Sequence, residues 1–555
     1  MRSICLYFQV HQPFRLRTYR FFNIGEDHHY YDDYQNRHII RRVAEKSYLP
    51  ANKLMLDLIR EFGTAFRVSY SISGTALEQL QTYVPEVIKS FQQLAATGQV
   101  EFIAETYAHS LACLRNKEEF VRQVKLHQRK IEELFGQKPV TFRNTELIYS
   151  DQIGEMVAEM GFHTMLTEGA KHILGWKSPN YMYCNNINPK LKVLLRNFRL
   201  SDDLTFRFSN QDWSEWPLTT EKFVRWLNNI DKKEEVVNLF LDYETIGEHQ
   251  WKETGIFDFF KHFPTAVFSK SGFTFNTPEN LYKELQPVAA ISVMHPISWA
   301  DEERDLTAWL GNELQDEAFA KLYSYEHKMK SCTDPDLQKD WLYLQTSNHF
   351  YYMCTKWFSA GEVHKYFNPY GSPYEAFINY MNVLSDFMIR VDENVKAPPL
   401  AKKEPKPRTD IKPKVSREKT KTVEIKPQVA REETKSVPAK PKGKAREATE
   451  IKAEGKTREK QKGKEKENYR KLDFNDIITL SDKKVKDILK NVEIETLAHA
   501  VKGTGKEVKQ KIEKNLGVRA LRQYKEMIKQ LKGLKSPDLN KYRKAIIKEI
   551  NQSVK

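Results

Sequence analysis

The chain has 555 residues, 40% hydrophobic and 12% aromatic, which is long enough for several domains and at least one large core. Its net charge of +15 is unevenly spread: residues 1–400 carry 44 Lys and Arg against 51 Asp and Glu, so a mildly acidic globule precedes a strongly basic tail. Five scattered cysteines (Cys5, Cys113, Cys184, Cys332, Cys354) without a C-x-x-C argue against a disulfide framework or a cysteine zinc site, and for a reducing compartment, the cytoplasm.

In chain order, the N-terminal MRSICLYFQVHQPF has an apolar run broken by Gln9 and His11, too short for a signal sequence. No later run approaches the ~18 apolar residues of a membrane span. Strands are expected at ICLYFQV (4–10), FRVSYSIS (66–73), VEFIAETY (100–107), VTFRNTE (140–146), HTMLTEG (163–169), VLLRNF (193–198) and VVNLFLDY (236–243), with VAAISVM (288–294) as a candidate eighth. Amphipathic helices such as ANKLMLDLIREF (51–62) and EEFVRQVKLHQRKIEELFG (118–136) lie between several of them. Such alternation predicts an α/β fold, and its repeat number favours a parallel barrel of seven or eight units over an open sheet, across residues 1–300. No G-x-G-x-x-G follows the first strand, which weighs against a dinucleotide fold. Residues 301–395 turn helical and rich in Trp, Tyr and Phe, and read as a subdomain packed on the barrel. Residues 396–467 are almost entirely Lys, Glu, Pro, Thr, Arg and Ala, a composition that cannot bury enough apolar surface to order itself, so a disordered linker is expected. Helical periodicity returns over 468–555 (Val485, Ile488, Leu489; Val508, Ile512), predicting a small basic helical domain.

Functional groups of parallel sheets and barrels gather where strands end. The expected ends bring His11, then Glu101, Glu105 and His109, then Arg143 and Glu146, then Asp242, Glu244, Glu248 and His249, then His295, Trp299 and Asp301. Two carboxylates on facing strand ends, with imidazole and indole around them, suit glycosyl transfer: one attacks the anomeric carbon or steers water, the other protonates the leaving oxygen. By themselves these residues reach only a carboxylate-based hydrolase. A metal-dependent deacetylase or hydrolase using His11, His109, Asp242 and His249 stays open, although no H-E-x-x-H supports it.

At these positions the sequence resembles glycoside hydrolase family 57. HQPFR (11–15), GQVEF (98–102), FRNTELIY (142–149), LFLDYETIGEH (239–249) and LQTSNHFYYM (344–353) are similar to its five ordered signature regions, and ETYAHSLA (105–112) and ISWADEERDLTAWLGN (297–312) resemble its α-amylase branch. The resemblance covers roughly residues 1–390. It implies an incomplete (β/α)7 barrel followed by a helical bundle that completes the active site, and a retaining mechanism on α-1,4-linked glucans. Glu146 is the implied nucleophile and Asp242 the implied general acid/base, with His11, Glu101, Glu244 and Trp251 around the sugar. Arg143, His109 and Trp299 join the candidate substrate contacts from chemistry and proximity. No cofactor or metal is called for. Asn348 stands where the fifth region usually has Asp, losing a charge and a strong acceptor. Transglycosylation, or glucan binding without turnover, therefore remain alternatives.

The tail from about Phe474 to Ile550 resembles a helical domain of the flagellar motor switch protein FliG, which implies a protein-interaction module. Few aromatics interleave its basic residues (Tyr469, Phe474, Tyr524, Tyr542), so nucleic acid is not the expected partner.

Overall fold

The computed structural model describes residues 2–356 and 368–395, together with parts of the stretch from Phe474 to Ile547. The expected linker at 396–467 lies outside the described residues. The chain divides into two units, 1–401 and 402–555.

The first unit has ten strands: β1 (Arg2–Val10), β2 (Val68–Ile72), β3 (Val100–Phe102), β4 (Thr141–Arg143), β5 (Thr164–Glu168), β6 (Met182–Asn185), β7 (Lys192–Arg196), β8 (Val236–Asp242), β9 (Phe273–Phe275) and β10 (Ala290–Ile291). Seven of them form the barrel, in the order β1-β2-β3-β4-β5-β7-β8. β1 runs parallel to β2 and β8, β2 to β3, β4 to β5, and β5 to β7. A parallel bridge between Ala104 and Phe142 joins β3 to β4. Between β7 and β8 the seam is closed by three bonds: the Asn197 N–H donates to the Asn238 carbonyl (2.9 Å), the Asn238 side-chain amide to the Leu195 carbonyl (2.8 Å), and Arg196 Nε to the Phe240 carbonyl (2.9 Å). This is the incomplete (β/α)7 barrel that the resemblance implies. β6 pairs antiparallel with β7, and β9 lies along the first residues of β1. Neither was expected from the sequence.

Local chemistry fixes the helices between the strands. Ser73, Asn116 and Ser150 each accept a backbone N–H at the start of Gly74–Tyr83, Lys117–Phe135 and Asp151–Glu159, and Gly136, left-handed at φ 67°, ends the second of these. Cys5, Tyr7, Ile103, Leu166, Leu194 and Phe240 fill the barrel interior. A second core joins β4, β5 and β7 to the aromatic helices Glu313–Tyr323, Pro335–Leu344 and Pro373–Asn394. Shared apolar burial thus holds the helical region against one half of the barrel. Among the described residues no helix is long and apolar enough to cross a membrane.

In the second unit, Asp482–Lys490, Ile494–Ala500 and Lys506–Asn515 are helices around Val485, Ile488, Leu489, Leu497, Val508 and Ile512. The expected apolar spacing is the spacing of this core.

Candidate active site

The loop after β3 folds into a turn in which the His109 N–H donates to the Thr106 carbonyl (3.1 Å) and the Ser110 N–H to Thr106 Oγ1 (2.9 Å). Thr106 Oγ1 also lies 2.8 Å from Thr145 Oγ1, tying this loop to the one after β4. Both loops carry left-handed residues: His109 (φ 52°), Glu146 (φ 54°) and Leu147 (φ 54°). Asp301 (φ 57°) and Arg304 (φ 52°) follow Trp299 in a third loop. These are the only positive-φ residues other than glycine among those described. Each costs about 1–3 kcal/mol, so backbone strain is concentrated around one site.

At its centre, Glu146 meets three donors. The Trp299 indole N–H donates to Oε2 (2.7 Å), while His109 Nε2 and the Ser347 hydroxyl lie 3.3 and 3.4 Å from Oε1. Ser347 begins the helix Ser347–Tyr351 and its N–H donates to the His109 carbonyl (3.0 Å), so the helical region helps build the site. The other nitrogen of His109, Nδ1, faces Glu105 Oε2 at 2.7 Å. Burial alone would raise the Glu146 carboxyl. The hydrogen bond and charge of His109, with Arg143 and Trp299, outweigh that and hold it below its ordinary value.

Asp242 ends β8, opposite Gln9 of β1 in the register, and is half-buried. Burial first, and the negative charge of Glu146 second, push it up from 3.8 to about 6, against the pull of Arg143, Arg196 and His109. The two acids therefore sense one another and ionise in opposite directions. Arg143 is fully buried, with its guanidinium carbon 5.0 Å from the Trp299 ring centroid and no hydrogen-bond partner for its three nitrogens among the described residues. Its contribution is a fixed positive charge beneath both acids.

His11 donates from Nε2 to Asn348 Oδ1 (2.7 Å), its Nδ1 lies 2.7 Å from the Ser73 hydroxyl, and its ring stacks on His109 at 4.0 Å. Burial and the charge of His109 hold its pKa well below the ordinary range. Asn348 thus supplies the acceptor that His11 needs without a second negative charge. Glu244, buried behind Asp242, accepts from the Tyr48 hydroxyl and from Gln12 Nε2 (3.2 Å). Burial and the nearby Asp242 push it up to about 8, so it is largely protonated at neutral pH.

The structure therefore gathers Glu146, Asp242, His11, His109, Arg143, Glu244, Trp299 and Asn348, but not two other expected contacts. Glu101 sits early in β3, where its carboxylate accepts from the Thr141 hydroxyl and the Glu279 N–H (2.9 Å). It lines a cavity with Arg67, Gln99, Lys138, Thr277 and Asn280 at the opposite, N-terminal end of the strands. Glu101 opens the expected strand at 100–107 rather than closing it, and the chain runs on along the barrel through Ile103 and Ala104 before it reaches the loop that carries Glu105 and His109. Trp251 stands 58% exposed on the loop after β8 and makes no side-chain hydrogen bond to either carboxylate. Ser347 and Gln9, whose amide lies 3.2 and 3.4 Å from the two His109 nitrogens, are not among the residues the sequence points to, and Glu105 stands out there only as an acid near a strand end. No motif marks a serine or glutamine as a partner; only the fold brings them there.

Two carboxylates pushed apart in ionisation, on one rim of a parallel barrel, are the arrangement of a glycoside hydrolase. The sequence matches the model of glycosyl hydrolase family 57 over residues 5–294 and that of the FliG C-terminal domain over 457–555. It is 40% identical over 402 residues to the "Putative alpha-amylase" of Methanocaldococcus jannaschii, across 70% of this chain and 84% of that protein. "Alpha-amylase 1" of Dictyoglomus thermophilum is 25% identical over 264 residues, 45% of this chain and 35% of that one. The chain belongs to glycosyl hydrolase family 57. Among solved structures, the family's branching enzymes from Pyrococcus horikoshii (TM-score 0.51, 14% identity, 69% of this chain and 88% of that one) and Thermococcus kodakaraensis (0.50, 12%, 71% and 94%) share the fold.

Proposed function

We propose that the chain is a retaining α-glucan hydrolase acting on α-1,4 linkages through a glycosyl-enzyme intermediate. The observation that carries this reading is the split ionisation of one pair: Glu146 held anionic, Asp242 held protonated to about pH 6. In the first step a Glu146 oxygen attacks the anomeric carbon while Asp242 gives its proton to the departing glycosidic oxygen. In the second, Asp242, now a carboxylate, takes a proton from water as the water displaces Glu146. Arg143, His109 and Trp299 hold the nucleophile ionised in a buried site; Asn348, oriented by His11, and Glu244 offer hydrogen bonds to sugar hydroxyls. The relatives named as α-amylases support the substrate class. An acceptor sugar in place of water would make the same site a 4-α-glucanotransferase or branching-type transglycosylase. The match to the FliG C-terminal domain supports a protein-interaction role for the tail, and five free, buried cysteines suit the cytoplasm.

Incubating wild type and Glu146→Gln with maltoheptaose, with products separated by chromatography and their anomers followed by NMR, tests the reading. Shorter glucans that appear first as α-anomers, from wild type alone, are expected. Longer glucans would identify a transferase, β-anomers would refute retention, and oligosaccharide bound without turnover would leave a binding protein.

A further inference from the structure

Glu105 is wholly buried, and its part in the reaction follows from what surrounds His109. Both nitrogens of that ring face carboxylate oxygens, Glu105 Oε2 at 2.7 Å and Glu146 Oε1 at 3.3 Å. An ionised carboxylate only accepts, so each nitrogen must carry a proton to satisfy its partner. We propose that Glu105 is a positioning residue: its carboxylate keeps His109 doubly protonated and so aims a charged N–H at Glu146. This rests on reading Glu146 as the nucleophile.

The other groups around His109 leave that role to Glu105. His11, stacked on the ring, makes one bond to Asn348 and one to Ser73 and stays neutral. His127, from the helix Lys117–Phe135, accepts the Glu105 N–H at Nδ1 (3.2 Å) and donates from Nε2 to the Ile72 carbonyl (2.8 Å), so it too is neutral. Gln9 from β1 is uncharged; its side-chain amide lies 3.2 and 3.4 Å from the two ring nitrogens, and the amide orientation that turns its otherwise unpartnered oxygen to them accepts from a doubly protonated ring. Arg143 and Asp242 act on His109 or its partners through space: Arg143 opposes a charge on the ring, and Asp242 makes no hydrogen bond to it. Of the ionised carboxylates, Glu105 alone combines full burial with a bond to the ring shorter than 3 Å. The left-handed backbone at His109 holds the ring between the two acids.

The test is the pH dependence of kcat/KM on maltoheptaose for the full-length wild type, Glu105→Gln and Glu105→Asp. Removing the carboxylate discharges His109, so the acidic limb, set by Glu146, should rise by about one pH unit and kcat/KM at its optimum fall about tenfold or more. Glu105→Asp should restore the limb. A folded Glu105→Gln with an unmoved limb overturns the proposal. Ring-15N spectra of histidine-labelled wild type, with the His109 signals assigned by their loss in His109→Gln, decide the matter even where Glu105→Gln does not fold. Two protonated nitrogens at pH 7 support the proposal and one overturns it. Full turnover by Glu146→Gln would instead refute the nucleophile reading, and the 15N signals would still report whether Glu105 charges His109.

Discussion

Asp242→Asn should inactivate the protein and stabilise it. In the fold the Asp242 carboxyl is raised from 3.8 to about 6, so ionising it there costs more than in the unfolded chain. A raised carboxyl leaves stability untouched below its unfolded value. It withdraws stability progressively between about pH 4 and 6, and fully above that. Two pH units correspond to about 3 kcal/mol at pH 8, and the same linkage leaves about 1 kcal/mol at pH 4.5. Asn cannot ionise, so the variant should be more stable by those amounts. For a unit of 401 residues, with an unfolding entropy of about 2 cal/mol/K per residue, 3 kcal/mol is about 3–4 °C in Tm. Calorimetry of wild type and Asp242→Asn at pH 4.5 and 8 would measure it. Since the charge of Glu146 is the second cause of the shift, the gain should shrink in a Glu146→Gln background. An Asn variant no more stable than wild type at pH 8, or stabilised equally at both pH values, would refute the reasoning.

Trp299→Phe keeps the ring between Arg143 and Arg196 but removes the N–H that donates to Glu146 at 2.7 Å. A charge-assisted bond of about 1.5–3 kcal/mol is lost, so kcat/KM should fall about tenfold to a hundredfold, with the acidic limb of the pH profile moving up. Asn348→Leu strips His11 of its acceptor and should cost about 1–2 kcal/mol in stability, measured by denaturant unfolding, whereas Asn348→Asp keeps the bond and should raise the His11 pKa in an NMR titration. Ending the chain after residue 401 removes none of the gathered site residues, so kcat/KM on maltoheptaose should stay within about twofold of wild type.

The sequence disclosed what periodicity and strand ends can disclose. All seven barrel strands were legible as short apolar runs between amphipathic helices, and Glu146 and Asp242 as acids at the close of two of them. β6 and β9 were not legible: MYCN and FTF are short, and only their neighbours make them strands. Glu101 shows the limit most plainly. A strand of three residues, Val100–Phe102, has no pattern long enough to say which layer of the barrel an inward side chain occupies. Glu105 failed for the opposite reason. It was visible as an acid near a strand end, but its bond to His109 depends on a turn stabilised by Thr106 and by a left-handed residue, neither of which hydropathy records.

Charge balance gives the site its internal logic. With Asp242 protonated, the buried charges at its centre are Glu105 and Glu146 against His109 and Arg143, two of each sign, which is the least costly way to hold ionised groups away from water. In the proposed reaction the positive charge growing on the sugar is matched by the proton leaving Asp242, so the balance persists through the transition state. Once Glu146 is bonded to the sugar it no longer carries a charge, and the second-largest influence raising Asp242 disappears while Arg143, Arg196 and His109 continue to lower it. Asp242 must then ionise more readily, at the stage when a base is required. The same carboxyl can act as acid and then as base because the nucleophile's own charge sets its proton affinity.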